Sequence, residues 1–133
     1  MDTRDRTGSP EPHATLSAYF GAALTPREFT LPNGVRVGVD CADADPTTIV
    51  GQCCLHWGQI KSNQRNKVIA DAFKLAWLRG AAFPDARAVL ALSTPFTRLL
   101  GRGAWLPEAL AAHRIDVLLL DQDHNVQRLE TLP

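Results

Sequence analysis

Three residues of different chemical types stand in neighbouring predicted elements. Asp40 closes an alternating apolar segment, Gln52 lies inside the next apolar segment, and Lys67 lies on the helix pattern that follows. Carboxylate and amide oxygens are hard ligands that suit a divalent cation, and a lysine ammonium offsets the charge of a phosphate. Two strands and a helix that bring these groups together would form a site for a cation and a phosphate.

Lys67 belongs to a polar stripe on the helix pattern. At about 100° per residue, this stripe spans an arc of roughly 80°, and its members are Gln64, Lys67, Asp71 and Lys74. It faces either water or the polar strand face that carries Gln52 and His56. If it faces water, Lys67 and Asp71 form an i,i+4 ion pair that contributes about 0.2–0.5 kcal/mol.

Each candidate also has a purely structural interpretation. Asp40 is typical of a residue that opens a turn, and Gln52 suits a hydrogen-bonding position in a half-buried strand. A lone histidine on a strand face, such as His56, is usually a satisfied polar residue. The tryptophans are expected to pack in the core or on the domain surface and not to stack on bases, because none is paired with another aromatic at strand spacing; they are Trp57, Trp77 and Trp105.

The first half of the chain predicts one helix and three strands. Residues 14–23 have the composition of a short helix, and residues 28–31 and 35–40 read as strands joined by a Pro-Asn-Gly turn at 32–34. Residues 48–57 form the third strand candidate. The short turn predicts a hairpin, so the three strands are expected to form an antiparallel meander.

The second half predicts a long helix followed by two buried strands. The helix runs from Ser62 to Gly80 and is apolar enough to be expected mostly buried. Residues 88–92 and 116–120 are almost continuously apolar, which is typical of strands covered on both faces. Pro95 and Pro107 each begin a short helix. This order predicts an α/β fold with a strand-helix-strand crossover behind the meander.

Composition limits the class of protein. The chain has 133 residues and a formal net charge of zero, so one domain over residues 14–133 is expected, and no global attraction to nucleic acid follows. No apolar run approaches the roughly 20 residues that span a bilayer. Residues 1–13 read as a disordered leader without an apolar segment for secretion, and the predicted location is the cytoplasm, away from membranes.

The distribution of charge and of cysteine is more informative than the totals. Between Lys61 and Arg79, five basic residues accompany the single acid Asp71, which predicts either a local basic surface or a solvated helix face. The cysteines are odd in number and lack the spacing of a metal site, so small buried thiols are expected; they are Cys41, Cys53 and Cys54.

Four segments of the chain resemble a family of small bacterial proteins of the PD-(D/E)xK, or restriction-endonuclease-like, nuclease superfold. That family reads approximately V-x-V-D, then E-x-x-A-x-x-G, then Q-x-x-K-V-x-x-D-x-x-K-L, then a Trp-Leu segment before an apolar strand. The matching segments here are Val37 to Asp40, Gln52 to Gly58, Gln64 to Leu75, and Gly103 to Leu110. The resemblance covers roughly residues 30–121, and the helix segment is its most distinctive part.

The resemblance implies roles for these residues. Asp40 would be the first ligand of Mg²⁺, and Gln52 stands where a metal-binding glutamate is expected. The usual lysine two residues later is Cys54 here, so Lys67 would supply the catalytic ammonium from the helix, with Lys74 as the second candidate. Substrate would be bound by the remaining polar groups near this site, namely Gln64, Lys74, Arg65 and His56. The implied fold is a single restriction-endonuclease-like domain with a three-strand meander and a long buried helix.

Two functions follow from this set of residues, and a plain structural subunit is a third interpretation. The first is a metal-dependent nuclease-fold protein that binds DNA and hydrolyses phosphodiesters with Asp40, Gln52 and Lys67. The second is a catalytically inactive relative that serves as a protein-binding or regulatory subunit of a bacterial assembly, with a protein partner or a second copy of itself. The amide at Gln52, the thiol at Cys54 and the zero net charge favour the second function.

Overall fold

A computed structural model describes residues 11–128. The helical and extended sequence patterns become three α-helices, one 3₁₀ segment and six strands within this range. In chain order these are α1 (Pro12–Phe20), β1 (Thr25–Thr30), β2 (Arg36–Ala42), β3 (Ile49–Cys54), α2 (Ser62–Ala81), β4 (Arg87–Ser93), the 3₁₀ segment (Thr94–Leu99), α3 (Trp105–Ala112), β5 (Ile115–Leu120) and β6 (Val126–Arg128).

The strands form one mixed sheet in the order β1-β2-β3-β4-β5-β6. β1, β2 and β3 pair antiparallel, β4 and β5 join them in parallel, and β6 is antiparallel to β5. The two parallel pairings require crossover connections, and helices α2 and α3 lie in those connections. The predicted α/β class, the three-strand meander and the crossover are confirmed, and the described residues form a single domain.

Helices cover both faces of the sheet. Leu75 of α2 and Leu110 of α3 belong to the apolar cluster on one face, whereas Leu16 of α1 belongs to the cluster on the other. Residues of β4 alternate between these clusters, with Leu90 in the first and Val89 in the second. The expectation that β4 and β5 are covered on both faces is therefore confirmed, and it explains why their sequences lack polar alternation.

Several element boundaries differ from the sequence prediction. Helix α1 begins at Pro12, inside the range assigned to the leader, because proline fits the first turn of a helix. The remaining leader residues, 1–10, lie outside the described part of the chain. β1 begins at Thr25 and includes Pro26, which is tolerated because β1 lies at the edge of the sheet and its register shifts there.

β3 is shorter than predicted, because a serine of the neighbouring strand takes over its backbone hydrogen bonds. The His56 amide donates to Ser93 Oγ, and Ser93 Oγ donates to the His56 carbonyl, both at 2.7 Å. The chain thus leaves the strand after Cys54 and stays tied to the end of β4. β6 was not predicted, since its three residues are too few for a periodic signal.

The expected burial of α2 is only partly correct. Val68, Asp71, Ala72, Leu75 and Leu78 are buried, but Phe73 is 76 % exposed. Of the two locations predicted for the tryptophans, the structure shows the domain surface, because Trp57, Trp77 and Trp105 are 37 %, 40 % and 65 % exposed. Apolar content alone overestimated burial, since α2 turns only part of its apolar surface towards the sheet.

None of the helices within residues 11–128 combines the length and the apolar character needed to cross a bilayer.

Candidate functional site

The predicted site lies where β2 and β3 separate. Their backbone pairing ends at Cys41 and Gly51, and side chains of the next two residues replace it. The Asp40 amide donates to Gln52 Oε1 at 2.8 Å, and the Cys53 amide donates to Asp40 Oδ2 at 2.8 Å. Asp40 and Gln52 are therefore in direct contact through the Asp40 backbone amide.

The orientation of the Gln52 amide is fixed by its two partners. Its oxygen accepts from the Asp40 backbone, and its nitrogen donates to Asp71 Oδ1 at 3.0 Å. A flipped amide would set donor against donor and acceptor against acceptor. Gln52 is only 3 % exposed, so both ends of its side chain are used inside the protein.

Asp71 is the centre of this hydrogen-bond network. Its Oδ2 accepts from Lys67 Nζ at 2.6 Å and from the Cys54 thiol at 3.0 Å, while Oδ1 accepts from Gln52. Burial raises the pKa of the Asp71 carboxyl, but the hydrogen bonds from Cys54, Lys67 and Gln52 outweigh it and hold the pKa below its ordinary value. Asp71 is thus a buried carboxylate with its charge compensated by Lys67.

Lys67 and Cys54 take their protonation states from the same network. Desolvation lowers the pKa of Lys67, but the hydrogen bond to Asp71 and nearby negative charge raise it above its ordinary value. Burial, together with Asp71, raises the pKa of the Cys54 thiol to about 12. Cys54 is therefore a protonated donor, and Lys67 Nζ lies 3.9 Å from its sulfur. Lys67 of α2 thus reaches across to Cys54 of β3.

The predicted substrate-binding residues make mostly backbone contacts. Gln64 Oε1 accepts from the Lys61 amide at 2.9 Å and so caps the first turn of α2. Lys74 Nζ donates to the Gly38 carbonyl at 2.9 Å, and His56 Nε2 lies 3.1 Å from the Gln59 carbonyl. Arg65 is exposed. The polar stripe of α2 therefore contacts β2 and β3 through Lys74 and Asp71, while Lys67 keeps 57 % of its side chain exposed.

A cleft of about 620 Å³ opens beside the network. Asp40, Cys54, His56, Gln64 and Lys67 line it, together with residues that sequence reasoning did not assign to the site: Glu11, Pro12, His13, Pro26, Cys53, Leu55, Asn63 and Phe96. Gln52 and Asp71 lie behind this wall. The structure thus brings Asp40 and Lys67 to one opening and keeps Gln52 beneath them.

Sequence reasoning missed the central role of Asp71, although it placed that residue on the polar stripe. The available signal was an acid flanked by Val68, Ala72 and Leu75, which are buried in the folded domain. A carboxylate surrounded by buried apolar residues needs a compensating partner. Lys67, one helical turn earlier, was the nearest candidate.

The residues present do not fit a tightly held Mg²⁺. Mg²⁺ prefers several oxygen ligands, with carboxylates supplying the negative charge. Here Asp40 is the only carboxylate of the network with an oxygen free of protein hydrogen bonds, because both oxygens of Asp71 are used. Among residues 11–128, no three His, Cys, Asp or Glu side chains cluster so as to hold a metal ion.

Comparisons of this chain with protein-family models, curated proteins and solved structures gave no match.

Proposed function

We propose that this protein is a non-catalytic relative of the restriction-endonuclease-like nucleases that serves as a protein-binding or regulatory module of a bacterial assembly. In this proposal the nuclease-like scaffold is retained, and the region that corresponds to the active site has become part of the folded core. Its function is then carried by its surfaces, while the former catalytic residues stabilise the domain.

The observation that carries this proposal is the internal use of Gln52 and Asp71. The Gln52 amide bridges the Asp40 backbone and the Asp71 carboxylate, and Lys67 neutralises Asp71. A nuclease of this type needs free carboxylate oxygens for its metal and a lysine that is available to the reacting phosphate. Here the Gln52 amide and the Lys67 ammonium are both hydrogen-bonded to Asp71.

The sheet order supports the proposed ancestry. A β1-β2-β3 meander is followed by the α2 crossover to β4, and Asp40 and Gln52 lie on adjacent strands at the point where those strands separate. This is the arrangement that the sequence resemblance implies for a restriction-endonuclease-like core. The sequence resemblance is the basis for proposing the family, and the hydrogen-bond network is the basis for proposing that catalysis has been lost.

A plasmid-nicking assay with Mg²⁺ or Mn²⁺ tests the proposal. We expect no cutting that depends on Asp40, because the remaining carboxylate cannot hold the metal alone. The parent protein is compared with Asp40→Ala and with Glu108→Gln, an exposed residue of α3 far along the chain from the network. Metal-dependent cutting by the parent and by Glu108→Gln, but not by Asp40→Ala, would overturn the proposal.

A second candidate function is hydrolysis of a nucleic-acid phosphodiester in the cleft. It is favoured by the convergence of Asp40, Gln52 and Lys67, which are far apart in sequence yet joined through Asp71. DNA would then occupy the cleft, with Asp40 and Lys67 at its wall. The same nicking assay decides between the two candidates, and residual cutting unaffected by Asp40→Ala would count against both this site and this activity.

A further inference from the structure

Helices α2 and α3 form a second concave surface, separate from the cleft at Asp40. A groove of about 210 Å³ runs between them. We define the α2–α3 groove by its six wall residues: Ile69, Phe73, Ala76, Trp105, Ala109 and His113. Its floor is formed by buried apolar side chains that include Leu106 and Leu110. The cleft and the groove share no lining residue.

The walls of the groove expose aromatic surface that the domain itself does not use. Phe73 is 76 % exposed and Trp105 is 65 % exposed, and these two large side chains stand on opposite walls. Single exposed apolar residues are common, but facing aromatic residues beside an apolar groove are typical of interaction surfaces. Tryptophan in particular is enriched among the residues that dominate binding energy.

The position of Phe73 on α2 shows why it is free. Ile69, Phe73, Ala76 and Trp77 lie on an arc of roughly 100°, on the side of the helix opposite the polar stripe that faces β2 and β3. The core-facing residues Val68, Leu75 and Leu78 lie on a different arc. Phe73 therefore lies on the side of α2 away from the sheet and from the polar stripe, and its neighbours Ile69 and Ala76 pack partly against the core.

One end of the groove is positively charged, through Arg79 of α2 and Arg114 after α3. Lys67 and Lys74 belong to the polar stripe on the other side of α2 and do not contribute to this charge. The groove continues at His113 and Ala76 into a depression lined by Arg79 and Arg114.

Arg79 donates to the carbonyls of Arg114 and His113, which joins the ends of the two helices. Burial, and then the charge of Arg114, lower the pKa of the Arg79 guanidinium. Within residues 11–128, neither arginine forms an ion pair with a carboxylate.

From this combination we infer that the α2–α3 groove binds an acidic amphipathic helix of a partner protein, with apolar residues seated between Phe73 and Trp105 and carboxylates towards Arg79 and Arg114. An apolar groove between two helices accepts a third helix through residues spaced three and four apart. A second copy of this chain is a poorer occupant of the same surface, because it would bring the same basic residues together. The inference rests on the proposed function and specifies its partner.

Peptide binding to the full chain tests the inference. The probe is a labelled synthetic helix of about five turns with leucine at positions spaced three and four apart and glutamate on both flanks. A matched probe has lysine in place of every glutamate. By fluorescence polarisation we expect the glutamate helix to bind at least about tenfold more tightly, and its affinity to fall as salt increases.

Three substitutions of exposed side chains locate the binding surface. Phe73→Ser and Trp105→Ser should each weaken the glutamate helix by about tenfold or more, and Arg114→Glu should reduce the preference for glutamate over lysine. Tyr19→Ser is the matched control, because Tyr19 is 43 % exposed but lies on α1, across the sheet. It should bind like the parent, and circular dichroism should show all four variants folded.

Several outcomes would overturn the inference. These are failure of the parent to bind the glutamate helix, equal binding of both probes, or equal loss in Tyr19→Ser. A dimer in sedimentation velocity that dissociates in Phe73→Ser would assign the groove to a second copy. If a DNA duplex displaces the glutamate helix from the parent but does not bind Phe73→Ser, the groove would be assigned to nucleic acid. None of these outcomes depends on nicking activity, so the groove and the proposed loss of catalysis fail independently.

Discussion

The two oxygens of Asp71 accept hydrogen bonds from Gln52, Cys54 and Lys67, which reach it from β3 and from one turn earlier in α2. This arrangement explains structurally why residue 52 is a glutamine. An amide can accept from the Asp40 backbone and donate to Asp71 at the same time, whereas a glutamate can only accept. The residue that weakens the match to an active nuclease is the residue that completes the network.

Gln52→Glu tests this interpretation at the scale of one residue. The substitution places a second carboxylate beside Asp71 and removes the donor that joined them, so we expect the free energy of unfolding to fall by about 2 to 4 kcal/mol at neutral pH. Because three carboxylates would then lie together, millimolar Mg²⁺ should recover part of that loss. Urea unfolding with and without Mg²⁺ measures both effects.

Gln127→Glu, at an exposed position of β6, is the control for added charge. It should change stability by less than about 0.5 kcal/mol and should not respond to Mg²⁺. A Gln52→Glu variant as stable as the parent would contradict the network interpretation.

At the scale of elements, the sequence predicted most of the helices and strands and their connections, but it did not predict where some of them begin and end. The periodic patterns of β2 and α2 and the continuous apolar runs of β4 and β5 identified those elements, because the pattern reflects the faces that a segment buries. The early end of β3 could not be read from the pattern, since it depends on the Ser93 hydroxyl, 37 residues away in the chain from His56.

The polar stripe of α2 was predicted, but its direction was left open between water and the strands. That choice depends on how α2 lies across the sheet, which periodicity does not specify. The same limitation explains why the helical tryptophans are exposed, because an apolar residue on a helix is buried only where another element covers it.

Substitutions at two glycines distinguish close packing between strands from helix propensity. A Cβ on Gly51 of β3 would lie 2.7 Å from Cys41 Sγ and 3.3 Å from the Val89 carbonyl. Gly51→Ala should therefore destabilise the domain by about 1 to 3 kcal/mol. A Cβ on Gly80 would meet nothing within 4 Å, so Gly80→Ala in α2 should stabilise it by about 0.5 to 1 kcal/mol.

Thermal or urea unfolding of the two variants distinguishes packing from helix propensity. If both substitutions changed the free energy of unfolding equally and in the same direction, the close approach of β3 to its neighbours would be contradicted.

At the scale of the whole molecule, the network makes stability depend on pH. The Asp71 pKa is lowered, so its contribution is present above about pH 4, the unfolded value, and is lost as pH falls through the folded pKa. The Lys67 pKa is raised, so its contribution is complete below about pH 10 and is lost as pH rises through the folded pKa. We expect a broad plateau of stability between these limits.

Asp71→Asn should flatten this profile. The variant has no carboxyl at position 71 to protonate, and Lys67 loses its partner. Its free energy of unfolding should therefore be lower than that of the parent by about 1 to 3 kcal/mol on the plateau. That free energy should also fall less than in the parent at acidic and at basic pH. Urea unfolding over a series of pH values measures the profile, with Glu108→Gln as the control. A profile for Asp71→Asn that runs parallel to that of the parent would show that other groups dominate the pH dependence.

The edge strand β1 constrains how copies of the molecule can associate. Pro26 has no amide hydrogen to donate, the register shifts beside it, and Arg27 reaches across to the Asp43 carbonyl at 2.6 Å. A strand built in this way is a poor template for another chain, so β1 resists the edge-to-edge growth that produces fibrils. An assembly that recruits this domain through its helices could therefore hold many copies at high local concentration without converting them into β-aggregates along this edge.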